Sequence, residues 1–231
     1  MTISWYGEAC FLLESGGTRV LIEPPQKESG LNPPRLKSDV LIYSTSRGNK
    51  TEHDESTDNS FIIDGPGEYE IKDINISGIG DDDPSISSGQ ANTIYVIEMD
   101  DVKIAHFGFL KKEPNNEKLE QIGNPDIVFA PVGGLKSELL DAEAAMKLIN
   151  KMEPKIAIPM LYDISARGGS ASGGKGLKIN RAPLSLFLKE SEAKESPVPK
   201  LIIKKKDLIE EETKIVILSP YGESPAGREK V

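Results

Sequence analysis

The strongest constraint on this fold is a series of short apolar runs in the first half of the chain. They are ISWY, CFLLE, RVLIE, DVLIY, SFIID, YEIKDINISGI, NTIYVIE and VKIAHFGF. They are rich in Val, Ile, Tyr and Phe, and Gly, Pro, Asn or Asp separate them. That pattern predicts strands joined by tight turns, with MDDVK as a hairpin turn and a mostly antiparallel sheet. The second half differs. NNEKLEQIG predicts a short helix ended by Gly123. DAEAAMKLINKMEP predicts a longer one, with Asp141 as N-cap and Ala145, Leu148, Ile149 and Met152 along one face. Pro154 stops it, and RAPLSLFLKES predicts a third helix with Pro183 in its first turn. DIVFAPV, KIAIPML, KLIIKK and TKIVIL predict further strands. Strands that cluster early and alternate with helices late fit a sandwich of sheets with helices outside.

The chain has 231 residues, enough for a substantial core. Its formal charge of −9 repels phosphate backbones, so nucleic acid is not an expected partner. The lone Cys10 forms no internal disulfide and fits a reducing cytoplasm. No window approaches the ~18–20 apolar residues that span a bilayer, so no membrane association is expected. SARGGSASGGKG nearly matches a phosphate-binding loop, but Gly176 stands where the Ser or Thr belongs and no helix pattern follows. It reads instead as a linker. Ser44 and Ser46 lack the glycine pattern of a nucleophile elbow.

The opening WYGEACFLLESGGTRVLIEP resembles that of the metallo-β-lactamase-fold hydrolases. IDGPGEYEIKDINISGI, NTIYVIEMDDVKIAHFG, NPDIVFAPVGG and EPKIAIPM resemble one branch, the small bacterial Zn-dependent hydrolases of the β-lactamase fold. The resemblance implies an α/β sandwich in four αββα layers, two mixed β-sheets flanked by helices. It covers one domain over residues 1–220 and leaves 221–231 as a flexible tail.

Such hydrolases hold zinc in a cage of imidazoles and carboxylates, which lowers the pKa of a bound water to about 7. The family's Thr-His-x-His-x-Asp-His loop aligns with Thr45–Thr51, so its ligand places fall on Ser46, Gly48, Lys50 and Thr51. The His-Asp-Asp motif aligns with Asp81-Asp82-Asp83. The bridging Asp falls on Phe109 and the last His on Leu161. Of these vestigial positions only Asp81 keeps a metal-binding side chain, a hard oxygen ligand. The chain holds two histidines, His53 and His106, against the several imidazoles of such a cage. These counts lead to an expectation of a non-catalytic chain with no cofactor. It would serve as a binding, structural or assembly partner, joined to another protein or to copies of itself. Two other readings stand beside it. One is a metal-dependent hydrolase with a rearranged, oxygen-rich site for Mg²⁺ or Ca²⁺, drawn from Glu8, His53, Asp81, Asp82 and His106, with Glu23 near the same cleft. The other is a small-molecule sensor with an apolar pocket near Phe109 and Leu161.

Overall fold

The computed structural model describes residues 1–25, 31, 37–45, 59–80, 91–135, 138–164, 180–209 and 212–221. Thirteen strands and three α-helices are defined among them. The first sheet holds β1 (Thr2–Trp5), β2 (Phe11–Ser15), β3 (Thr18–Ile22), β4 (Val40–Ile42), β5 (Phe61–Ile63) and β12 (Leu201–Ile202), in the order β12-β1-β2-β3-β4-β5. The second holds β6 (Gly67–Ile71), β7 (Ile74–Gly80), β8 (Thr93–Met99), β9 (Val102–His106), β10 (Ile127–Pro131), β11 (Ile156–Met160) and β13 (Lys214–Ile215), in the order β13-β11-β10-β9-β8-β7-β6. Both sheets are mixed, as the resemblance implies. β3, β4 and β5 run parallel, as do β9, β10, β11 and β13. The expectation of mostly antiparallel pairing therefore holds only for part of each sheet. The parallel strands DVLIY, DIVFAPV and KIAIPML have few polar residues, because strands covered on both faces lose the in–out alternation.

Alternation in the first sheet sorts its side chains into two layers. Phe11, Leu13, Val20, Ile22, Val40 and Ile42 join the main core, while Leu12, Leu21 and Leu41 turn outward with Cys10 and Tyr43 into a smaller cluster. Phe11 stacks on Phe129 of β10 with ring centroids 4.1 Å apart, and Trp5 meets Tyr162 at 5.1 Å. These rings join the two sheets. The long run YEIKDINISGI is not one strand but a hairpin, β6 and β7, turning at Lys72-Asp73. Asp100 and Asp101 both take left-handed φ angles, 55° and 61°, so MDDVK is the tight turn expected of it.

The helices are α1 (Asn116–Ile122), α2 (Ala142–Met152) and α3 (Leu184–Ser191). Asp141 caps α2 by accepting from the Ala144 amide at 2.9 Å, and Ala145, Leu148, Ile149 and Met152 are buried on the helix face predicted for them. Pro183 sits one place before the first turn of α3, at its N-cap, and forms a bridge with Asp163. Tyr221, the first residue of the expected tail, donates its amide to the Trp5 carbonyl at 2.7 Å and stacks on Tyr6. Among the described residues no helix is long and apolar enough to cross a membrane.

Candidate functional site

The ends of β1, β3, β4, β9 and β11 supply the residues tied together at one corner of the sandwich. Three non-glycine residues there take left-handed backbone conformations: Glu8 (φ 48°), Glu23 (φ 46°) and Leu161 (φ 60°). Each costs roughly 1–3 kcal/mol and persists where the surroundings hold it, most often at functional sites. Glu8 lies in the turn between β1 and β2. Its carbonyl accepts from the Trp5 indole at 2.9 Å and from the Leu161 amide at 3.2 Å. The second of these bonds links the two sheets.

The Glu8 carboxylate is buried, with 7% of the residue exposed. Its Oε2 accepts from both Nε (3.2 Å) and Nη2 (2.9 Å) of Arg181. Its Oε1 is buried and has no hydrogen-bond partner among the described residues. Burial pushes the Glu8 carboxyl above its ordinary value; the Arg181 charge and hydrogen bonds oppose this but do not cancel it.

Glu23 follows β3 and is buried; its carboxylate accepts from the Ser44 amide. The Ser44 hydroxyl is a second buried oxygen with no partner among the described residues. The Ser44 carbonyl accepts from the Thr93 amide at 2.6 Å, and Thr45 bridges Asn92. Asn92 is a tie across the site: its Nδ2 donates to the Phe107 carbonyl at 3.0 Å, and its Oδ1 accepts from the Phe109 amide at 2.7 Å. Between them sits Gly108, at φ 57°. A side chain there would run into Asn92 Oδ1 and reach within 2.6 Å of the Ser44 hydroxyl, which is why glycine is required.

His106 is fully buried at the end of β9. The Gly108 amide donates to its Nδ1 at 3.1 Å, so that nitrogen carries no proton. Nε2 therefore holds the proton and donates to the Ala9 carbonyl, also at 3.1 Å. Both ring nitrogens are occupied, leaving none for a metal or a substrate proton. Burial lowers its pKa to about 4, with the Ala9 bond pulling weakly the other way. This removes His106 from the oxygen-rich ligand set read from the sequence, because its nitrogens serve packing.

Of the other sequence candidates, Ser46, Gly48, Lys50, Thr51, His53, Asp81 and Asp82 lie outside the described residues. Phe109 is half-buried, and Leu161 is wholly buried in the main core. A cleft of about 450 Å³ opens elsewhere, beside Met1, Glu14, Arg19 and Ile202. It shares no residue with the strained corner. Sequence reasoning missed Arg181 and Asn92. An arginine after a glycine-rich stretch and an asparagine before a strand carry no distinguishing pattern; only the fold brings them to the site.

The donors can be tested against a metal. Among the described residues no three of His, Cys, Asp or Glu lie close enough together to hold one. Cys10 turns into the outer cluster of the first sheet. The unpartnered buried atoms, Glu8 Oε1 and Ser44 Oγ, are both oxygens. Among the described residues the corner thus offers single oxygen donors, the kind hard cations prefer, and no complete metal site.

Residues 2–161 match the model of the Beta-lactamase superfamily domain, and the chain belongs to that family. A UPF0173 protein of Pyrococcus abyssi is 27% identical over 199 residues, covering 76% of this chain and 89% of its own length. A UPF0173 metal-dependent hydrolase of Archaeoglobus fulgidus is 23% identical, covering 71% of this chain and 84% of its own. A crystal structure from Thermotoga maritima, of a proposed Zn-dependent hydrolase of the metallo-β-lactamase superfamily, superposes with a TM-score of 0.69 at 25% identity. That match covers 94% of this chain and 97% of the other. These relatives overturn the expectation of a non-catalytic chain without a cofactor, since proteins alike over most of their length are named metal-dependent hydrolases. The physical reason for the error is that counting imidazoles tests only for a zinc cage. A cation gripped by carboxylates needs none.

Proposed function

We propose that this β-lactamase-superfamily chain is a metal-dependent hydrolase whose cation is held by oxygen donors in place of imidazoles. One observation carries the reading: among the described residues Glu8 Oε1 is a buried carboxylate oxygen with no hydrogen-bond partner, at the junction of the two sheets. Leaving such an atom unsatisfied costs on the order of 1–3 kcal/mol, which a cation would recover. Glu8 would hold the ion. Asp81 and Asp82, read from the sequence beside Glu8 as oxygen donors, lie outside the described residues. A divalent cation, when bound, polarises a scissile carbonyl or phosphoryl group and makes hydroxide available near neutral pH.

The chain's own residues support that chemistry in distinct ways. Arg181 fixes the Glu8 carboxylate through Oε2 and so aims Oε1. Glu23 and Asn92 hold the Ser44 and Phe109 backbones in place. The Leu161 amide, at the end of β11, holds the Glu8 backbone through its carbonyl. The lone Cys10 supports placing the protein in the cytoplasm.

The test begins with protein purified without chelator. Elemental analysis should find a stoichiometric divalent ion, or calorimetry should show one site for Mn²⁺ or Mg²⁺ that Glu8→Gln abolishes. Activated carboxylic and phosphoric esters should then be cleaved only when the ion is present. No ion bound, and no ester cleaved at saturating Mn²⁺, Mg²⁺ or Zn²⁺, would refute the reading.

A further inference from the structure

β6 is the last strand of the second sheet, and among the described residues no strand pairs with its outer side. Its hairpin with β7 closes on Ile71 opposite Ile74, with Tyr69 opposite Ile76 and Gly67 opposite Gly78. Hydrogen-bonded pairs alternate back from a two-residue turn, so Gly67, Tyr69 and Ile71 spend their backbone groups on β7. The N–H and C=O groups of Glu68 and Glu70 therefore point the other way, toward the open edge.

The strand has two unlike faces. Glu68 and Glu70 are exposed on one, where the Ser77 hydroxyl donates to Glu68 at 2.6 Å. Tyr69 and Ile71 pack against the core on the other. There Tyr69 meets Phe61 of β5, the edge strand of the first sheet, with ring centroids 6.4 Å apart. Phe61 is 51% exposed, so the apolar side of this edge continues out of the core. Charge along residues 61–74 has one sign. Asp64, Glu68, Glu70 and Asp73 are exposed there, and the one cation, Lys72, is already paired with Asp39 at 2.6 Å. Charge guards an edge strand against pairing with copies of itself. Antiparallel pairing of two β6 strands through their outward backbone groups would set glutamate against glutamate, which is destabilising. Two chains of net charge −9 repel one another besides. A strand of opposite charge meets no such barrier.

We propose that the β6 edge receives an extended segment of another protein in which basic and apolar side chains alternate. The backbone of that segment bonds to the outward groups of Glu68 and Glu70 and extends the second sheet by one strand. Its basic side chains meet the two carboxylates on one face, and its apolar side chains meet Phe61, Tyr69 and Ile71 on the other. This surface shares no residue with the strained corner, so binding here does not depend on the hydrolase reading.

The experiment titrates the full chain with a blocked synthetic peptide of about eight residues in which Lys and Val alternate. Two control peptides of the same length are used: one alternates Glu and Val, the other carries the same Lys and Val in two separate blocks. Calorimetry should show one site for the alternating Lys–Val peptide, weakening as salt rises. The block peptide should bind at least about tenfold more weakly, and the Glu–Val peptide should not bind. Hydrogen exchange should show the Glu68 and Glu70 amides gaining protection when the Lys–Val peptide is present, which unspecific charge attraction would not give. Glu68→Lys with Glu70→Lys should weaken the Lys–Val peptide by about tenfold or more and admit the Glu–Val peptide. Phe61→Ala should weaken the Lys–Val peptide about fivefold. Should a variant fail a melting control, the three peptides and the two amides of wild type decide alone. The proposal is overturned if wild type does not bind the Lys–Val peptide, if either control peptide binds as well, or if the two amides gain no protection. It is overturned equally if folded Phe61→Ala or the folded double variant binds the Lys–Val peptide as wild type does. Sedimentation showing a dimer of wild type whose Glu68 and Glu70 amides are already protected would also overturn it, by making a second copy the occupant.

Discussion

Acidification should destabilise this protein through His106, by an amount that follows from the hydrogen bonds around the ring. In the folded chain the imidazole is neutral and buried, with Nδ1 accepting from Gly108 and Nε2 donating to Ala9. Protonation would put a second N–H opposite the Gly108 amide and a charge in the core. Its pKa accordingly falls from 6.5 to about 4. The unfolded chain keeps the ordinary value and binds the proton first. The stability that His106 contributes is thus fully present above pH 6.5, is lost as pH falls toward 4, and changes no further below that. Each tenfold in proton affinity is worth about 1.4 kcal/mol, so the loss approaches roughly 3 kcal/mol. That is a large part of a typical net stability of about 5–15 kcal/mol.

Glu8 works in the opposite sense. Its pKa is raised on folding, so its contribution is present below the ordinary carboxylate range and is lost as pH rises through the folded value. The two slopes overlap, and wild type alone would not separate them. Comparison with His106→Gln does, because both chains keep Glu8 and His53. Urea unfolding followed by fluorescence of the single tryptophan, Trp5, at intervals from pH 8 to 4 gives the two curves. Wild type should lose about 3 kcal/mol more than the variant across that range. Parallel curves would show that His106 titrates alike in both states, and the argument from its two occupied nitrogens would fail.

Further outcomes follow from other contacts. Gly108→Ala combines a left-handed alanine with a collision at Asn92 and Ser44, and thermal melts should show it destabilised by about 2–4 kcal/mol. Asn92→Leu removes the tie between Phe107 and Phe109; hydrogen exchange should show the Phe109 amide losing protection while the centre of β9 keeps its own. Asp141→Ala deletes the cap of α2 and should cost about 1 kcal/mol in urea titrations. Saturating Mn²⁺ should raise the melting temperature of wild type and leave that of Glu8→Gln unmoved, since an ion that binds only the folded state stabilises it by mass action.

The fold was legible because its causes are repetitive. Short apolar runs rich in β-branched and aromatic residues, with turn residues between them, mark the early strands, and the spacing of Ala145, Leu148, Ile149 and Met152 marks α2, because each signal is summed over many residues. The site was legible only where a motif resembles one already known, and that is where the reading went wrong. Phe109, Leu161 and the histidine count speak about an imidazole cage and are silent about other ways to hold a cation. The features that argue for a working site leave no trace of that kind. The left-handed turns at Glu8, Glu23 and Leu161 fall on residue types with no preference for them. The Glu8–Arg181 pair joins positions 173 residues apart. A buried carboxylate with one oxygen held and the other bare exists only after the sheets have closed around it. Arginine–carboxylate pairs frequently use both oxygens against the guanidinium fork. Here two of the three guanidinium nitrogens share one oxygen, and among the described residues the other makes no bond. The proposed cation site would give that oxygen a partner and the arginine a task, and the Mn²⁺ melts of wild type and Glu8→Gln decide whether it exists.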